Sequence, residues 1–199
     1  MRLLYGGTFD PPHRGHMGVA AAALDELEVD ELIVAPVGDP PHRQGMLLPA
    51  RTRHELAVLA FADLPATVSE VDLQRSPAYA VDTLESLESA HGGGPVSLLV
   101  GADQLVGLDG WHRWRDLVRG RTIVVAPRPA QVAAPALAAA GRVVEEAGGR
   151  VHVLQGAPPD IDATSLRAAI REGDWGLVAD QVAPAVLEVL RHRAPARSQ

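Results

Sequence analysis

The sequence predicts an α/β protein built on a doubly wound, mostly parallel sheet. Short runs rich in β-branched and other apolar residues alternate with longer stretches in which apolar residues recur at helical spacing. Clusters of glycine and proline separate these segments. Regular alternation of strand and helix implies right-handed crossovers between parallel strands, with helices on both faces of the sheet. The predicted arrangement is therefore Rossmann-like, with further helices at the C-terminal end.

The individual elements follow from this pattern. Helical spacing runs from Met17 to Leu27 between the first two strands, and returns at residues 56–60 and 81–87 before the third and fourth strands. The alanine-rich stretch 130–140 contains Pro135, which predicts a kinked or broken surface helix. The six predicted strands are residues 3–5, 32–34, 68–71, 97–100, 122–125 and 151–154.

The end of the chain predicts closing helices and a loose tail. The tail comprises residues 191–199, which carry Pro195 and three arginines and are expected to fray. Without a long flexible linker, residues 1–199 are expected to form a single domain. The expected core-facing positions of the closing helices are Leu177, Val178, Val186, Leu187 and Leu190.

Composition excludes several chemistries. All 18 basic side chains among the 199 residues are arginine, and cysteine is absent. Lysine Schiff bases, thiol nucleophiles and the lysine-containing phosphate loop are therefore excluded. The net charge of -7 argues against broad affinity for nucleic acids or anionic membranes, and the longest apolar run, residues 17–24, is too short to span a membrane. We expect a cytoplasmic protein with neither nucleic-acid nor membrane partners.

The loop after the first strand predicts a phosphate site. Gly6 and Gly7 allow a sharp turn close to a ligand, and the following helix start presents unpaired N–H groups to an anion. His13 and His16 project from one face of its first turn, where imidazoles can donate to phosphoryl oxygens and, if protonated, stabilise developing charge. Each feature alone also fits a simpler explanation: a tight strand-to-helix turn, or a capping pair of histidines.

Together these residues carry a family resemblance. Residues 6–16, GGTFDPPHRGH, resemble the GGTFDPxHxGH signature of the nucleotidyltransferase superfamily. Later segments narrow the resemblance to the bacterial nicotinate-nucleotide adenylyltransferase family and extend it over nearly the whole chain, as a single nucleotidyltransferase domain. These segments are PPHR at 40–43, PAYAVDTL at 77–84, GAD at 101–103, Trp111 with Trp114, and Arg128-Pro129.

The resemblance implies two sets of binding residues. His13, His16 and Arg167 are the implied catalytic residues. Trp111 is the residue expected to stack on a pyridine ring, with Trp114 packing the next helix, and Arg43 replaces a family lysine near the acceptor phosphate. The implied ATP-binding residues are Gly6, Gly7, Thr8, Phe9, His13, His16, Gly101, Asp103, Thr164 and Arg167. The implied acceptor-binding residues are Asp10, Arg43, Tyr79, Ala80, Thr83 and Trp111.

One segment departs from the family pattern. Residues 161–167, IDATSLR, are similar to the ISSTxIR motif, with Thr164 and Arg167 retained and both serines replaced. Asp162 is expected to cap the helix at the place where phosphate should bind, or to point away, or to hold a magnesium-bound water.

The expected reaction is adenylyl transfer from ATP to nicotinate mononucleotide, giving deamido-NAD and pyrophosphate, with Mg²⁺ carried by the triphosphate. Two alternatives stay open. The acceptor could be nicotinamide mononucleotide or phosphopantetheine, or the chain could be a nucleotide-binding module weakened by Asp162 and Ala163. The sequence also leaves the oligomeric state open, a homo-oligomer included.

Overall fold

The computed structural model describes residues 1–40, 45–128, 131–156 and 158–193. Within them a six-stranded parallel sheet has the strand order β3-β2-β1-β4-β5-β6. The order reverses between β1 and β4: residues 2–5 of β1 pair with β2 on one side and with β4 on the other. The strands are β1 (Arg2–Gly7), β2 (Glu31–Pro36), β3 (Ala66–Val68), β4 (Val96–Gly101), β5 (Thr122–Ala126) and β6 (Arg150–Val153).

Helices cover both faces of this sheet, which confirms the predicted doubly wound α/β class. Side chains alternate along β1, so that Leu3 and Tyr5 pack under α1, α2 and the C-terminal helices, whereas Leu4 packs under α3 to α6. A 3₁₀ turn, Leu108–Gly110, lies between α4 and α5. The helices are α1 (Arg14–Glu26), α2 (Ala50–Ala60), α3 (Ala80–Ala90), α4 (Ala102–Val106), α5 (Trp114–Val118), α6 (Ala134–Glu146), α7 (Ala163–Glu172), α8 (Trp175–Gln181) and α9 (Pro184–Arg193).

The third strand lies earlier than predicted. It spans Ala66–Val68, where the sequence predicted residues 68–71. The Ser69 hydroxyl accepts a hydrogen bond from the Val71 amide (3.2 Å), and the chain then turns, so that Val71 packs on the sheet from a turn. The apolar pair Val68 and Val71 therefore belongs to a strand end and a turn, which periodicity alone does not separate.

Pro135 begins a helix where a kinked or broken helix was predicted. It lies in the first turn of α6, a position where the missing N–H has no helical partner to lose. The helix continues without a break to Glu146. Proline here starts the helix, and the alanines that follow form its body.

The closing helices pack as predicted with one exception. Val178, Val186 and Leu190 are fully buried, and Leu187 packs against the same core, but Leu177 is exposed. Leu177 lies on the outer face of α8 because its neighbour Val178 occupies the core position.

The C-terminal helix extends past the predicted start of the tail. Helix α9 continues to Arg193, so the first three residues of the predicted tail are helical, and residues 194–199 lie outside the described residues. In the described part of the chain, every helix is too short or too polar to cross a membrane.

Candidate active site

The loop between β1 and α1 is held by aromatic packing. Phe9 has a positive φ of 46°, a conformation that costs free energy in a non-glycine residue. Its buried ring meets Tyr5 and His16 edge-to-face, with centroids 5.5 Å and 5.0 Å apart. Gly7 makes this arrangement possible, because a Cβ there would lie 3.0 Å from the Phe9 ring. The loop conformation is thus fixed by Phe9 itself.

His13 and His16 form a stacked pair at the start of α1. Their ring centroids are 3.7 Å apart, and the His16 Nδ1 accepts a hydrogen bond from the His13 backbone N–H at 3.2 Å. A neutral imidazole that accepts at Nδ1 carries its proton at Nε2. The His16 Nε2–H is therefore a hydrogen-bond donor.

The His13 ring is almost fully buried, with 1% of its surface exposed, and its Nδ1 lacks a hydrogen-bond partner among the described residues. Burial first, and then the nearby positive charges of Arg128 and Arg167, lower the pKa of His13 from 6.5 to about 4. His13 is consequently a neutral imidazole at neutral pH, and the positive charge around it belongs to the two arginines.

Close packing brings the second motif to the first loop. A Cβ at Gly15 would lie 2.8 Å from the Pro159 carbonyl oxygen, and one at Gly18 would lie 2.7 Å from the Pro159 Cδ. The absence of side chains at these positions lets the segment before α7 cross α1. As a result the Arg167 guanidinium lies 3.4 Å from the Asp10 carbonyl oxygen, to which it donates.

We call the group formed by His13, His16, Arg128 and Arg167 the histidine–arginine cluster. Arg167 also donates to the Thr164 hydroxyl (3.1 Å), which places both retained residues of the second motif on one face of α7. The Arg167 guanidinium reaches the loop that carries both imidazoles and the N-terminus of α1, and Arg128 lies within electrostatic reach of His13. Such an arrangement can bind phosphate.

Asp162 caps α7, the first of the orientations expected for it. Its carboxylate accepts from the backbone N–H groups of Thr164 (3.0 Å) and Ser165 (2.9 Å) and from the Ser165 hydroxyl (2.6 Å). These hydrogen bonds, that from the Ser165 hydroxyl first, lower the pKa of Asp162 to about 2. Two amides at the start of α7 are therefore engaged by the protein's own carboxylate.

A cavity of about 510 Å³ lies on the other side of the Gly6–Thr8 segment, at the strand-order reversal between β1 and β4. Open α/β sheets bind ligands at this position. We call it the aromatic cavity. Its wall includes Gly6, Thr8, Val37, Asp72, Tyr79, Ala80, Thr83, Trp111 and His112.

Aromatic side chains frame this cavity. The rings of Tyr79 and His112 stack with centroids 4.2 Å apart and an interplanar angle of 29°. Trp111 is half-buried and lines the cavity, whereas Trp114 begins α5 with the Arg115 guanidinium 4.5 Å from its ring centroid. The two tryptophans therefore differ in their surroundings as expected.

Two predicted acceptor-binding residues are engaged within the protein. The buried Thr83 hydroxyl donates to Asp72, whose oxygens lie 2.7 Å and 2.8 Å away, and burial raises the pKa of Asp72. The buried Asp10 carboxylate accepts from the backbone N–H groups of Leu47 (2.8 Å) and Leu48 (3.0 Å). Thr83 still reaches the cavity wall, while Asp10 fastens the segment before α2.

Gly101 and Asp103 lie at the carboxyl end of β4, as predicted. A Cβ at Gly101 would lie 2.6 Å from the Asp103 Oδ1, so the carboxylate folds back over the glycine. Burial raises the pKa of Tyr5, Arg128 lowers it and Asp103 raises it further. Asp103 and Arg128 thus both lie within electrostatic reach of Tyr5.

The structure brings the described predicted site residues to one edge of the sheet, on both sides of the Gly6–Thr8 segment. Arg43, with Pro41 and His42 of the same motif, lies outside the described residues. His54 is buried in α2. Apolar side chains surround it because α2 packs this face against the core.

Three charged residues of this region received no role from the sequence. Arg128 belongs to the Arg128-Pro129 segment of the family resemblance, to which no role was assigned. Asp72 lies in an irregular turn, and Arg53 lies within a helix. Burial is what distinguishes Arg53 and Asp72, with 1% and 4% of their surfaces exposed. The amphipathic pattern of α2 carries a signal for Arg53, since it falls on the same face as Leu56, Ala57 and Ala60.

Comparison with known proteins agrees with this geometry. The family model described as cytidylyltransferase-like matches residues 4–169. The probable nicotinate-nucleotide adenylyltransferase of Laribacter hongkongensis is 40% identical over 204 residues, covering 96% of this chain and 92% of that protein. A protein of the same name from Halorhodospira halophila is 38% identical over 183 residues, covering 85% and 84%.

The fold has solved counterparts. Nicotinic acid mononucleotide adenylyltransferase of Plasmodium falciparum, in a complex with NaAD, superposes with a TM-score of 0.72 and covers 96% of this chain and 94% of that chain. At 13% identity this likeness concerns the fold. The resemblance read from the sequence is confirmed by the closer relatives, and the chain belongs to the cytidylyltransferase-like family and, within it, to the nicotinate-nucleotide adenylyltransferases.

Proposed function

We propose that this enzyme transfers the adenylyl group of ATP to nicotinate mononucleotide, giving deamido-NAD and pyrophosphate, as its relatives' names indicate. One observation supports this most directly: the histidine–arginine cluster and the aromatic cavity flank the same Gly6–Thr8 segment. The cluster suits a triphosphate, and the cavity suits a flat ring bearing a small polar group.

In this proposal the reaction is a single in-line displacement. An oxygen of the mononucleotide phosphate forms a bond to the α-phosphorus of ATP, while the bond from that phosphorus to the bridging oxygen breaks and pyrophosphate leaves. The chain's contribution is positioning and charge stabilisation, with no covalent intermediate. The proposed catalytic residues are His13, His16 and Arg167.

The charge states of these side chains indicate different roles for the histidines and for Arg167. Because the pKa of His13 is about 4, His13 acts as a neutral hydrogen-bonding ring, and His16 donates from Nε2. Arg167, with Arg128 beside it, supplies the positive charge that balances the leaving pyrophosphate. Asp103 accepts from ribose hydroxyls, and Trp111 stacks on the pyridine ring.

Magnesium is assigned to the substrate. Among the described residues, no group of three or more His, Cys, Asp or Glu side chains could hold a metal ion. In the proposed function Mg²⁺ is bound by triphosphate oxygens and brought in with ATP, where it neutralises phosphate charge. A cytoplasmic location remains a prediction based on the cysteine-free composition.

The test is pyrophosphate release by the purified protein with three acceptors: nicotinate mononucleotide, nicotinamide mononucleotide and phosphopantetheine. Each is assayed with and without magnesium, and the dinucleotide product is identified. We expect the acid acceptor to be used best and only with magnesium. ATP binding without turnover of any acceptor would instead support the weakened nucleotide-binding module.

A variant pair tests the proposed chemistry. His16→Ala removes a donor and should lower kcat/KM by about 10²-fold or more, with the circular dichroism spectrum unchanged. His152→Ala is the control, because His152 is exposed on the edge strand β6. A rate for His16→Ala equal to that of the control would contradict the assignment.

A further inference from the structure

A buried arginine connects the two substrate-bearing segments of the active site. Arg53, in α2, has 1% of its surface exposed. Its Nε donates to the Leu48 carbonyl (3.2 Å), and one terminal nitrogen donates to the carbonyls of Thr8 (2.7 Å) and Val37 (2.6 Å). The other terminal nitrogen donates to the Gly38 carbonyl (2.7 Å). One guanidinium thus joins the glycine loop, the end of β2 and the residues preceding α2.

A second buried charge ties the same segments. Asp10, two residues beyond Thr8, accepts from the amides of Leu47 and Leu48. The loop after β1 is therefore fastened to the segment before α2 by both a cation and an anion. We call Arg53 and Asp10 the buried brace.

The brace lies directly behind the proposed substrate surfaces. Thr8 and Val37, whose carbonyls Arg53 binds, both line the aromatic cavity. Gly38 is packed so closely that a Cβ there would lie 2.3 Å from the Asp72 carbonyl oxygen. The brace therefore holds backbone whose other side faces substrate.

Arginine suits this position for a geometric reason. Its planar guanidinium presents several donors in a fixed fork, so it can hold carbonyls from separate segments at set angles. Removing Arg53 would leave four backbone carbonyls without this donor and cost stability. A role in fixing relative positions is therefore measured by activity per folded molecule, separately from stability.

We propose that Arg53 is a positioning residue for adenylyl transfer. Its guanidinium fixes the position of the glycine loop, which holds ATP in the proposed function, relative to the Val37–Gly38 backbone beside the cavity proposed for the acceptor. This inference rests on the function proposed above. In-line attack depends steeply on this separation, because a displacement of about 1 Å can cost about 10²-fold in rate.

The experiment compares Arg53→Met and Arg53→Lys with Arg121→Met. Arg121 is a matched control because it is also buried, donates to the carbonyls of Asp116 and Leu117, and lies where α5 leads into β5, away from the cavity wall. For each variant, the free energy of unfolding, kcat per folded molecule and both KM values are measured.

We expect Arg53→Met to lower kcat by about 30- to 100-fold while both KM values change by less than about threefold. ATP and the acceptor would still contact the same loops, so both KM values would change little. Their positions relative to each other would no longer be fixed, so kcat would fall. Arg53→Lys should recover part of kcat, because an ammonium group keeps the charge but cannot reproduce the fork. Arg121→Met should lose stability and keep kcat per folded molecule.

A kcat of Arg53→Met within twofold of the wild type would overturn the inference, as would an equal loss in Arg121→Met. If Arg53→Met does not fold, the folded Arg53→Lys variant decides, and an unchanged kcat there would also overturn it. If the wild type uses a different acceptor, the proposed function is wrong, but the role of Arg53 can still be tested. The kcat values of the variants are then measured with that acceptor.

Discussion

The histidine–arginine cluster and the aromatic cavity solve different recognition problems on either side of one backbone segment. The cluster gathers four polar side chains from three distant parts of the chain, with the positive charge on Arg128 and Arg167 and a neutral imidazole at His13. The cavity is bounded mainly by apolar and aromatic side chains that come from residues 4–112. In the proposed function, the cluster binds an anion through positive charge, and the cavity binds a ring through its shape.

This difference implies that the two regions respond to different perturbations. Changes of charge or pH should act on the cluster, and therefore on ATP. Changes of ring area should act on the cavity, and therefore on the acceptor. Perturbing one region at a time tests whether the cluster and the cavity act independently or as one unit.

The largest expected effect concerns the pH dependence of stability through His13. Its pKa is about 4 in the folded chain and 6.5 in its ordinary state, so the unfolded chain binds more protons between these values. This difference in pKa corresponds to roughly 3 kcal/mol in the free energy of unfolding. The contribution is present above pH 6.5 and is lost as the pH falls toward 4. Urea unfolding of the wild type and His13→Gln across this range measures it.

The variant should lack this component, and ATP should reduce the loss in the wild type, because phosphate stabilises the protonated ring. Parallel pH profiles for the two proteins would show that His13 does not titrate in the way its surroundings indicate.

An intermediate effect is expected at the cavity. Trp111→Leu should raise the KM for the acceptor by about 3- to 10-fold, which corresponds to the free energy of one lost ring stack. The KM for ATP should stay unchanged. Trp114→Leu is the matched control, because this tryptophan also packs on the α3 to α6 side of the sheet but carries Arg115 on its ring. Equal increases in both KM values, or a larger effect of Trp114→Leu, would show that the regions are not separable.

The smallest effect is expected at the cap of α7. Asp162→Ser should lower the KM for ATP by about two- to fivefold, because it removes a negative charge beside the cluster and, since a serine caps only one amide, frees the other for phosphate. The control is Asp174→Ser, since Asp174 caps α8 through the Leu177 amide (3.2 Å). Both variants should keep their stability within about 0.5 kcal/mol, as serine is an adequate cap. A KM for ATP that rises in Asp162→Ser would mean that the carboxylate assists binding.

The first loop could be predicted from the sequence because its determinants are local. Three glycines, two prolines and two histidines within eleven residues specify both the turn and the helix start. The pairing of this loop with Arg167 could be inferred only from the family resemblance. Nothing local to α7 indicates that Gly15 and Gly18 allow the Pro159 segment to cross α1.

Other features depended on contacts between residues far apart in sequence. The hydrogen bond between Thr83 and Asp72 engages a predicted acceptor-binding residue within the protein, and Arg53 binds carbonyls 5 to 45 residues away. The shift of β3 has the same origin, because pairing with β2 determines which residues of an apolar run are strand. Sequence patterns specify faces and turns, whereas buried polar pairs are decided when the segments meet.

The close passage of Pro159 over α1 also bears on the order in which the enzyme acquires its parts during synthesis. All residues that line the aromatic cavity have been joined once His112 is added. The histidine–arginine cluster must wait for Arg167, which reaches the first loop only after the Pro159 segment has crossed Gly15 and Gly18. A ribosome-bound chain therefore carries every described wall residue of the aromatic cavity some 55 residues before it carries the complete histidine–arginine cluster.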